Sequence, residues 1–409
     1  MGRSYGDAAL PAEEKDHIIL SASLDRLIDF DQKKGCLTAE AGVSLQTILS
    51  VFQPYGWFLP TTPGSKFISL GGAVAADVHG KNHHRDGSFG EYVKAITLIT
   101  PDGKTHELTP EKNPAWFWAT VGGMGLTGFI TKVTFQLIKV PSAWYWVTYE
   151  KANNIEAAMC RMEEEKNKSR YTVAWVDGLA GGAHLGRSIL MLGNHANPNE
   201  LPHTKRLNPW ACPPNTQRKV PFDFPQWFLN PHTARIFNQL FYWNKSVKTE
   251  SLEDYESFFY PLDTIGGWNR LYGKRGFIQF QAIFPNSSAA QGLRRVLEAV
   301  SCSRLASFLA VLKKCGPSGK GFMSFPIEGY TLALDIPNVG SPLKELHKKL
   351  ENIVLQEGGR IYLAKDTLCT GKGLNEMYPK LNHFNKIRSS IDPEKKIRSR
   401  LSKRFHLTD

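Results

Sequence analysis

Hydrophobic and polar positions in the last third of the chain alternate between two periods. FIQFQAIF (277–284) is an apolar run of strand length, and SSAAQGLRRVLEAV (287–300) switches to helical spacing. SFLAVLKK (307–314) and YTLALDI (330–336) read as strands. A second helix starts after Ser341, carries Leu343, Leu346, Leu350 and Ile353 on one face, and stops at Gly358. RIYLAK (360–365) closes the series as a strand. The order β-α-β-β-α-β is that of ferredoxin-like units and predicts an antiparallel sheet. The N-terminal third has shorter elements. LTAEA (37–41) alternates as a strand, and a helix capped by Ser44 places Leu45, Ile48, Leu49 and Phe52 on one face. TKVTFQLI (131–138) puts Val133, Phe135 and Leu137 on one side of a strand.

The segment from Leu201 to Thr249 breaks this order. It holds seven Lys/Arg against one acid, Asp223, with seven prolines and nine aromatics, among them Trp210, Phe224, Trp227, Phe228 and Trp243. Proline at that density argues against regular structure in its first half. No helical or strand period runs through the segment, which predicts a basic-aromatic flap over 201–249. The alternative is a loop whose aromatics complete a core.

Composition narrows the class. The 409 residues suggest two or three domains, or one core with an inserted domain. Apolar residues make up 42% and charged residues 22%, which excludes wholesale disorder. No run approaches ~18 apolar residues, so no transmembrane helix is expected, and MGRSYGDAALPAEEKDH does not read as a secretory signal. The location expected is cytoplasmic or peripheral to a membrane. The net charge of +12 favours anionic partners without choosing among them. The cysteines, Cys36, Cys160, Cys212, Cys302, Cys315 and Cys369, form no CxxC pair, so neither a disulfide framework nor a structural zinc site is expected. From Lys380 to Arg404 nine Lys/Arg face two acids, which a solvated helical face explains. No nucleic-acid partner is expected.

Four motifs carry the candidate chemistry. Gly123-Met124-Gly125-Leu126-Thr127-Gly128 fits G-x-G-x-x-G, but that fingerprint has to follow a strand and open a helix. Here PAWFWAT before it is helical in pattern and FITKVTFQL after it is a strand. A Rossmann fold is excluded, while close approach of glycine backbone to a phosphate or flavin stays open. Between Pro63 and Gly90 run Pro63-Gly64-Ser65, Gly71-Gly72-Ala73 and His79-Gly80-Lys81-Asn82-His83-His84. His79 and His83 have i,i+4 spacing, but Gly80 disfavours a helix and no carboxylate or cysteine completes a set, so no metal is expected. The loop suits either a tight polar turn or a wrap around a planar cofactor. Arg3-Ser4-Tyr5-Gly6-Asp7 is by itself a turn. Ala364-Lys365-Asp366 ends the last strand, where a lysine is either solvated or, once desolvated, an electrostatic catalyst.

In this order RSYGDAAL, PGSKFISLGGAVAADVHGKNHHRDGSFG, FWATVGGMGLTG and IYLAKD resemble the FAD-dependent decaprenylphosphoryl-β-D-ribose 2′-oxidase family, flavoproteins of the vanillyl-alcohol-oxidase type. WNRLYG, GFIQFQ, SFPIEGY with DIP, and MYPKLNHF extend the similarity over nearly the whole chain, and HGKNHH is its most specific element. The resemblance implies an α+β protein. A PCMH-type FAD-binding domain comprises residues 1–143 and the returning segment 360–409, and a substrate domain with the ferredoxin-like sheet, 144–359, is inserted between them. It implies flavin contacts from Arg3, Ser4, Tyr5, Gly6 and Asp7, and from Pro63, Gly64, Ser65, Gly71, Gly72 and Ala75. His79, Gly80, Asn82 and His83 follow, then Gly123, Gly125, Thr127, Gly128 and Ile130, and finally Tyr362 and Lys365. Lys365, His79 and Tyr5 are the implied catalytic residues. Trp175, Tyr260, Gln279, Gln281, Lys313 and Ala333 are the implied substrate contacts.

The family oxidises the ribose 2′-hydroxyl of a polyprenyl-phosphate sugar to a ketone, and a separate NADH-dependent keto-reductase completes the epimerisation. The chain departs from the family pattern twice. It starts within a motif that normally follows a glycine-rich turn, so either the start is truncated or misassigned, or FAD affinity is weakened. The reactive pocket cysteine of the mycobacterial branch falls on Ala333. The chemistry expected is hydride transfer to a cofactor, with Lys365 stabilising developing negative charge and Lys313 facing the sugar phosphate. The 201–249 flap would rest on an anionic membrane. Two alternatives stay open: an FAD-dependent oxidase of a soluble sugar, alditol or sugar lactone, and a flavin-poor binding protein.

Overall fold

The computed structural model describes residues 2–213, 218–225, 230–246, 248–305 and 309–407. The first of two large sheets is antiparallel and five-stranded, in the order Leu27–Asp31, Cys36–Glu40, Phe129–Gln136, Val93–Ile99, Thr105–Leu108. The register pairs Leu37 with Phe135 and Ala39 with Val133, so these four buried side chains share the core face. The helix Leu45–Phe52 buries the four apolar residues that its spacing selects, and Ser44 Oγ accepts the Thr47 N–H 3.0 Å away. This cap satisfies one of the helix's orphan donors.

The second sheet has eight antiparallel strands built as two copies of one plan. The later copy is the unit read from the sequence: Phe277–Pro285, helix Ala289–Ser303, Ala310–Cys315, Gly329–Pro337, helix Ser341–Gln356, Arg360–Ile361. The earlier copy repeats it with Trp144–Ala152, helix Ile155–Glu165, Tyr171–Val176, Ser188–His195, helix Pro231–Asn244, Lys248–Asp254. Within each copy the fourth strand lies beside the first, then come the third and the second. The two second strands, Tyr171–Val176 and Ala310–Cys315, join the copies edge to edge.

Three sequence expectations are corrected. The last strand covers only Arg360–Ile361, because Lys365 N–H bonds back to the Tyr362 carbonyl and turns the chain. The 201–249 segment is regular in its second half. Asn230 caps the helix Pro231–Asn244 through His232 and Thr233 N–H, and a strand follows at Lys248–Asp254. Its apolar period is not one-sided, because aromatics occupy both faces. Of the aromatics counted there, Trp227 and Phe228 lie outside the described residues. Finally, the basic C-terminal tail is not simply solvated. Helix Leu381–Ile391 buries Leu381, Phe384, Arg388 and Ile391, packs against helix Pro114–Thr120, and leads to Arg404, which is held between two carboxylates.

Three helices, Ile155–Glu165, Ala289–Ser303 and Ser341–Gln356, cover one face of the large sheet through a shared core. Helix Pro231–Asn244 sits on the other face, where Tyr242 clusters with Trp175 and Ile189. It turns Ala234, Asn238 and Tyr242 inward, while Ile236 (60%), Leu240 (59%) and Trp243 (63%) are exposed.

Candidate active site

Cross-strand partners share a sheet face. The registers Trp175↔Val311, Val311↔Ala333 and Ala333↔Gln281 set one row of side chains across four strands. Lys313↔Thr331 forms the row on one side and Gln279↔Asp335 the row on the other. This face lies opposite the three-helix core. It brings together five of the six residues implied for substrate. The sixth, Tyr260, is fully buried and its hydroxyl bonds Thr62 Oγ1 at 2.7 Å.

Gln281 links this floor to the histidine loop. Its Nε2 donates to Thr331 Oγ1 and to His79 Nε2, both at 3.1 Å. That orientation assigns His79 the tautomer with its proton on Nδ1, a buried donor with no partner among the described residues. His83 Nδ1 accepts the Gly316 N–H at 3.1 Å, so its proton sits on Nε2. Burial, reinforced by the field of Lys313, pushes His79 well below the usual imidazole range and His83 down to about 3, so both are neutral. The His79 ring packs 5.5 Å from Phe325 and 5.3 Å from Tyr362, and the latter two rings stack at 4.6 Å.

Lys81, Lys313 and Lys365 converge on this floor. Lys81 Nζ donates to the Phe258 carbonyl and lies 4.1 Å over the Phe258 ring, and burial lowers it to about 7. Burial also lowers Lys313. Burial and then repulsion from Lys313 lower Lys365 to about 7, against the attraction of Asp335. Burial raises Asp335 to about 7, opposed by the Gln279 hydrogen bond and by Lys365. Asp335 and Lys81 lie within the segments DIP and HGKNHH, but the sequence assigns neither a place among the site residues. The available signal was an acid inside the otherwise apolar strand YTLALDI and a lysine between two singled-out neighbours, Gly80 and Asn82.

The N-terminal motif is tied to the strand end that carries Lys365. Gly6 N–H donates to the Ala364 carbonyl at 3.1 Å, and Ser4 Oγ bonds the same carbonyl. Tyr5 is thereby set with its ring 5.9 Å from Lys365 Nζ and 5.4 Å from Phe277. Arg3 lies over Phe67. Arg404 grips the Asp7 carboxylate with two N–H groups and Asp366 with a third.

The glycines separate into two groups. A Cβ at Gly64 or Gly125 would meet nothing within 4 Å, so these backbones face open space, while one at Gly72 would meet the helix-capping Ser69 Oγ at 2.9 Å. A Cβ at Gly6, Gly71, Gly80, Gly123 or Gly128 would strike atoms of the fold at 2.9 Å or less. Those five are required by packing whatever else they touch. Ser65, Ala75 and Pro63 are half-buried beside the open group. Three side chains serve the frame. Asp7 is spent on Arg404, Thr127 bonds Thr120 at 2.9 Å, and Asn82 donates to Asp86 and the Pro60 carbonyl. Ile130 is buried in the core of the first sheet. Asp77, a hub the sequence did not reveal, accepts from Ser88, Ser324 and the Gly90 N–H and fixes the histidine loop.

Open glycine backbones, the orphan His79 Nδ1–H and a neighbouring aromatic stack fit a flavin nucleotide, whose phosphates accept backbone N–H and whose ring accepts a buried donor. FAD supplies a two-electron acceptor that no side chain provides.

Comparison with known proteins agrees with this geometry. Residues 1–109 match the FAD binding domain family model, and residues 336–405 match that of D-arabinono-1,4-lactone oxidase. The chain is 29% identical over 118 residues to L-galactono-1,4-lactone dehydrogenase 2 of Oryza sativa, covering 29% of this chain and 20% of that one. An uncharacterised protein of Streptomyces coelicolor is 30% identical over 372 residues, 89% of this chain and all of its own. The decaprenylphosphoryl-β-D-ribose oxidase of Mycolicibacterium smegmatis is 32% identical over 410 residues, covering 100% of this chain and 88% of the relative. The likeness to that oxidase thus runs through both sheets and the lysine-bearing floor, whereas the likeness to the lactone dehydrogenase is partial, and the chain belongs to the decaprenylphosphoryl-β-D-ribose oxidase family of FAD-dependent oxidoreductases.

Proposed function

We propose that the protein oxidises the 2′-hydroxyl of a polyprenyl-phosphate-linked pentose to a ketone, as the first half of an epimerisation completed by a separate NADH-dependent keto-reductase. Residues 1–143 and 360–409 hold FAD, and 144–359 hold the substrate. The carrying observation is the cationic floor beside a helix with a bare apolar outer face. Lys313 stands among Lys81, Lys365 and two neutral histidines, a setting for a phosphate. A soluble lactone or alditol calls for neither that charge nor the exposed Ile236, Leu240 and Trp243. The chain's own residues orient the sugar over the floor row, with Gln279 and Gln281 as amide partners and Lys365 beside the reacting carbon. Anaerobic mixing with polyprenyl-phosphoryl ribose should bleach the flavin absorbance. Bleaching by a sugar lactone or alditol alone would replace this reading with the soluble-substrate one.

The same helix supports a peripheral membrane contact. Among the described residues no helix is long and apolar enough to cross a membrane. The helix pins one face to the substrate floor, Phe241 packing 4.8 Å from Trp175. Its outer face carries Ile236, Leu240 and Trp243 next to the exposed Arg235, as an interfacial helix does. Two other basic residues of the segment are structural: Lys205 lies 3.0 Å over the Trp144 ring, and Arg206 bonds the Asn199 and Leu201 carbonyls. The informative variant is therefore Ile236, Leu240 and Trp243 all changed to Ser. Wild type should float with phosphatidylglycerol vesicles at low salt and detach at high salt, each basic residue near the surface contributing ~1 kcal/mol, and the triple variant should stay soluble. Equal flotation of both, or none by wild type, removes the membrane role.

A further inference from the structure

Asp335 enters the pocket floor from the strand Gly329–Pro337 and is 1% exposed. Its Oδ1 accepts from Gln279 Nε2 across the sheet. Its Oδ2 and Gln279 Oε1 are both buried and without a hydrogen-bond partner among the described residues. Two buried acceptors left unsatisfied on one cross-strand pair are costly unless a donor arrives. The charged and titratable groups that face Asp335 are Lys365 from the end of the last strand, Tyr5 from the N-terminal motif, and Tyr272 from the turn Trp268–Tyr272. Burial first, and then the field of Asp335, push both tyrosines upward, so they stay protonated and accept no proton. An anion at Oδ2 is repelled. A pair of hydroxyl groups, each a donor, matches the two acceptors.

We propose that Asp335 is a catalytic residue: its Oδ2 takes the proton of the hydroxyl being oxidised, while Gln279 Oε1 receives the neighbouring hydroxyl of the same sugar. The inference rests on the proposed reading that the substrate is a sugar oxidised at one of two adjacent hydroxyl groups. The O–H bond breaks with its proton passing to Asp335. The C–H bond breaks with its electron pair passing to the oxidised flavin of the holoenzyme, and the carbonyl forms. The neutral carboxylic acid then returns its proton to Lys365 or to water. Burial, which raises Asp335, makes it a better acceptor than an exposed carboxylate.

The test uses the FAD-loaded full chain with Asp335→Asn and Asp335→Glu. Asp335→Asn should lower kcat by about 10²–10⁴-fold, leave KM within threefold and flavin content unchanged, and abolish the acid limb of the kcat profile. Asp335→Glu should restore part of the rate and that limb. Independently of turnover, wild type should show an infrared carboxylic-acid band that titrates near pH 7 and is missing from Asp335→Asn. A rate within threefold of wild type, a retained acid limb, or no such band in wild type overturns the role. If Asp335→Asn does not fold, the Glu variant and the wild-type infrared titration decide it. Running polyprenyl-phosphoryl ribose and a soluble alditol in parallel keeps the two readings apart. If only the alditol reacts, the lipid-linked substrate fails, and the loss measured on the alditol still judges Asp335.

Discussion

Lys365→Ala is expected to keep its flavin and lose about 10²–10³ in kcat, the cost of one preorganised electrostatic stabiliser, ~2.7–4 kcal/mol. The lysine is set in the turn that follows Arg360–Ile361 by its N–H bond back to Tyr362, faces Tyr5, and is buried beside Lys313 and Asp335. Burial lowers it to about 7, so its charge is full below that pH and lost above it. A rate that depends on the cation therefore falls as pH rises through 7, while one that depends on ionised Asp335 rises through the same range. The product is a narrow optimum near neutrality. Lys365→Arg keeps the charge at all accessible pH, so it should regain part of the rate and lose the alkaline limb. The checks are kcat against pH for wild type and both variants, with flavin content by absorbance. Activity of Lys365→Ala within threefold of wild type would make the lysine a bystander.

The sequence made the later ferredoxin-like unit legible because its helices have single apolar faces and clean stops, such as Gly358 in the left-handed region at φ 61°. Its earlier twin stayed hidden for a physical reason. The second helix of that copy does not join the shared core but crosses to the substrate face, so its apolar residues serve two surfaces and lose the one-sided period. The structure brings His79 and Lys365 of the motifs together with Gln281 and Lys313, which only the resemblance implied. Motif spacing could not say which glycines face a ligand. Gly64 and Gly125 open outward while Gly6 and Gly123 are packed against carbonyls, a distinction set by tertiary contacts. Asp335 and Asp77 were missed because a buried carboxylate has meaning only through its partners: Gln279 and Lys365 for one, Ser88, Ser324 and Gly90 for the other.

Arg404→Leu should destabilise the fold by about 3–5 kcal/mol, the cost of leaving buried charges unpaired. Asp7 and Asp366 have side chains 3% and 1% exposed, and Arg404 lies between them. It donates to Asp7 Oδ2 at 3.0 Å, Asp7 Oδ1 at 2.8 Å and Asp366 Oδ2 at 2.7 Å, and also to the Cys369 carbonyl at 2.6 Å. His347 contacts the other Asp366 oxygen at 3.2 Å. The arginine comes from the last helix, one aspartate from the N-terminal motif, and the other from the residue after Lys365, so the clamp closes three distant segments around that lysine. Denaturant unfolding of the FAD-loaded chain measures the loss, and kcat should fall with it because Tyr5 and Lys365 are no longer held together. Adding Asp7→Asn and Asp366→Asn to Arg404→Leu removes the stranded charges and should recover part of the stability but not the rate, since the neutral amides no longer hold the strand end in register. A loss under 1 kcal/mol for Arg404→Leu, or a triple variant no more stable than the single one, would show that the clamp is not what joins the termini to the site.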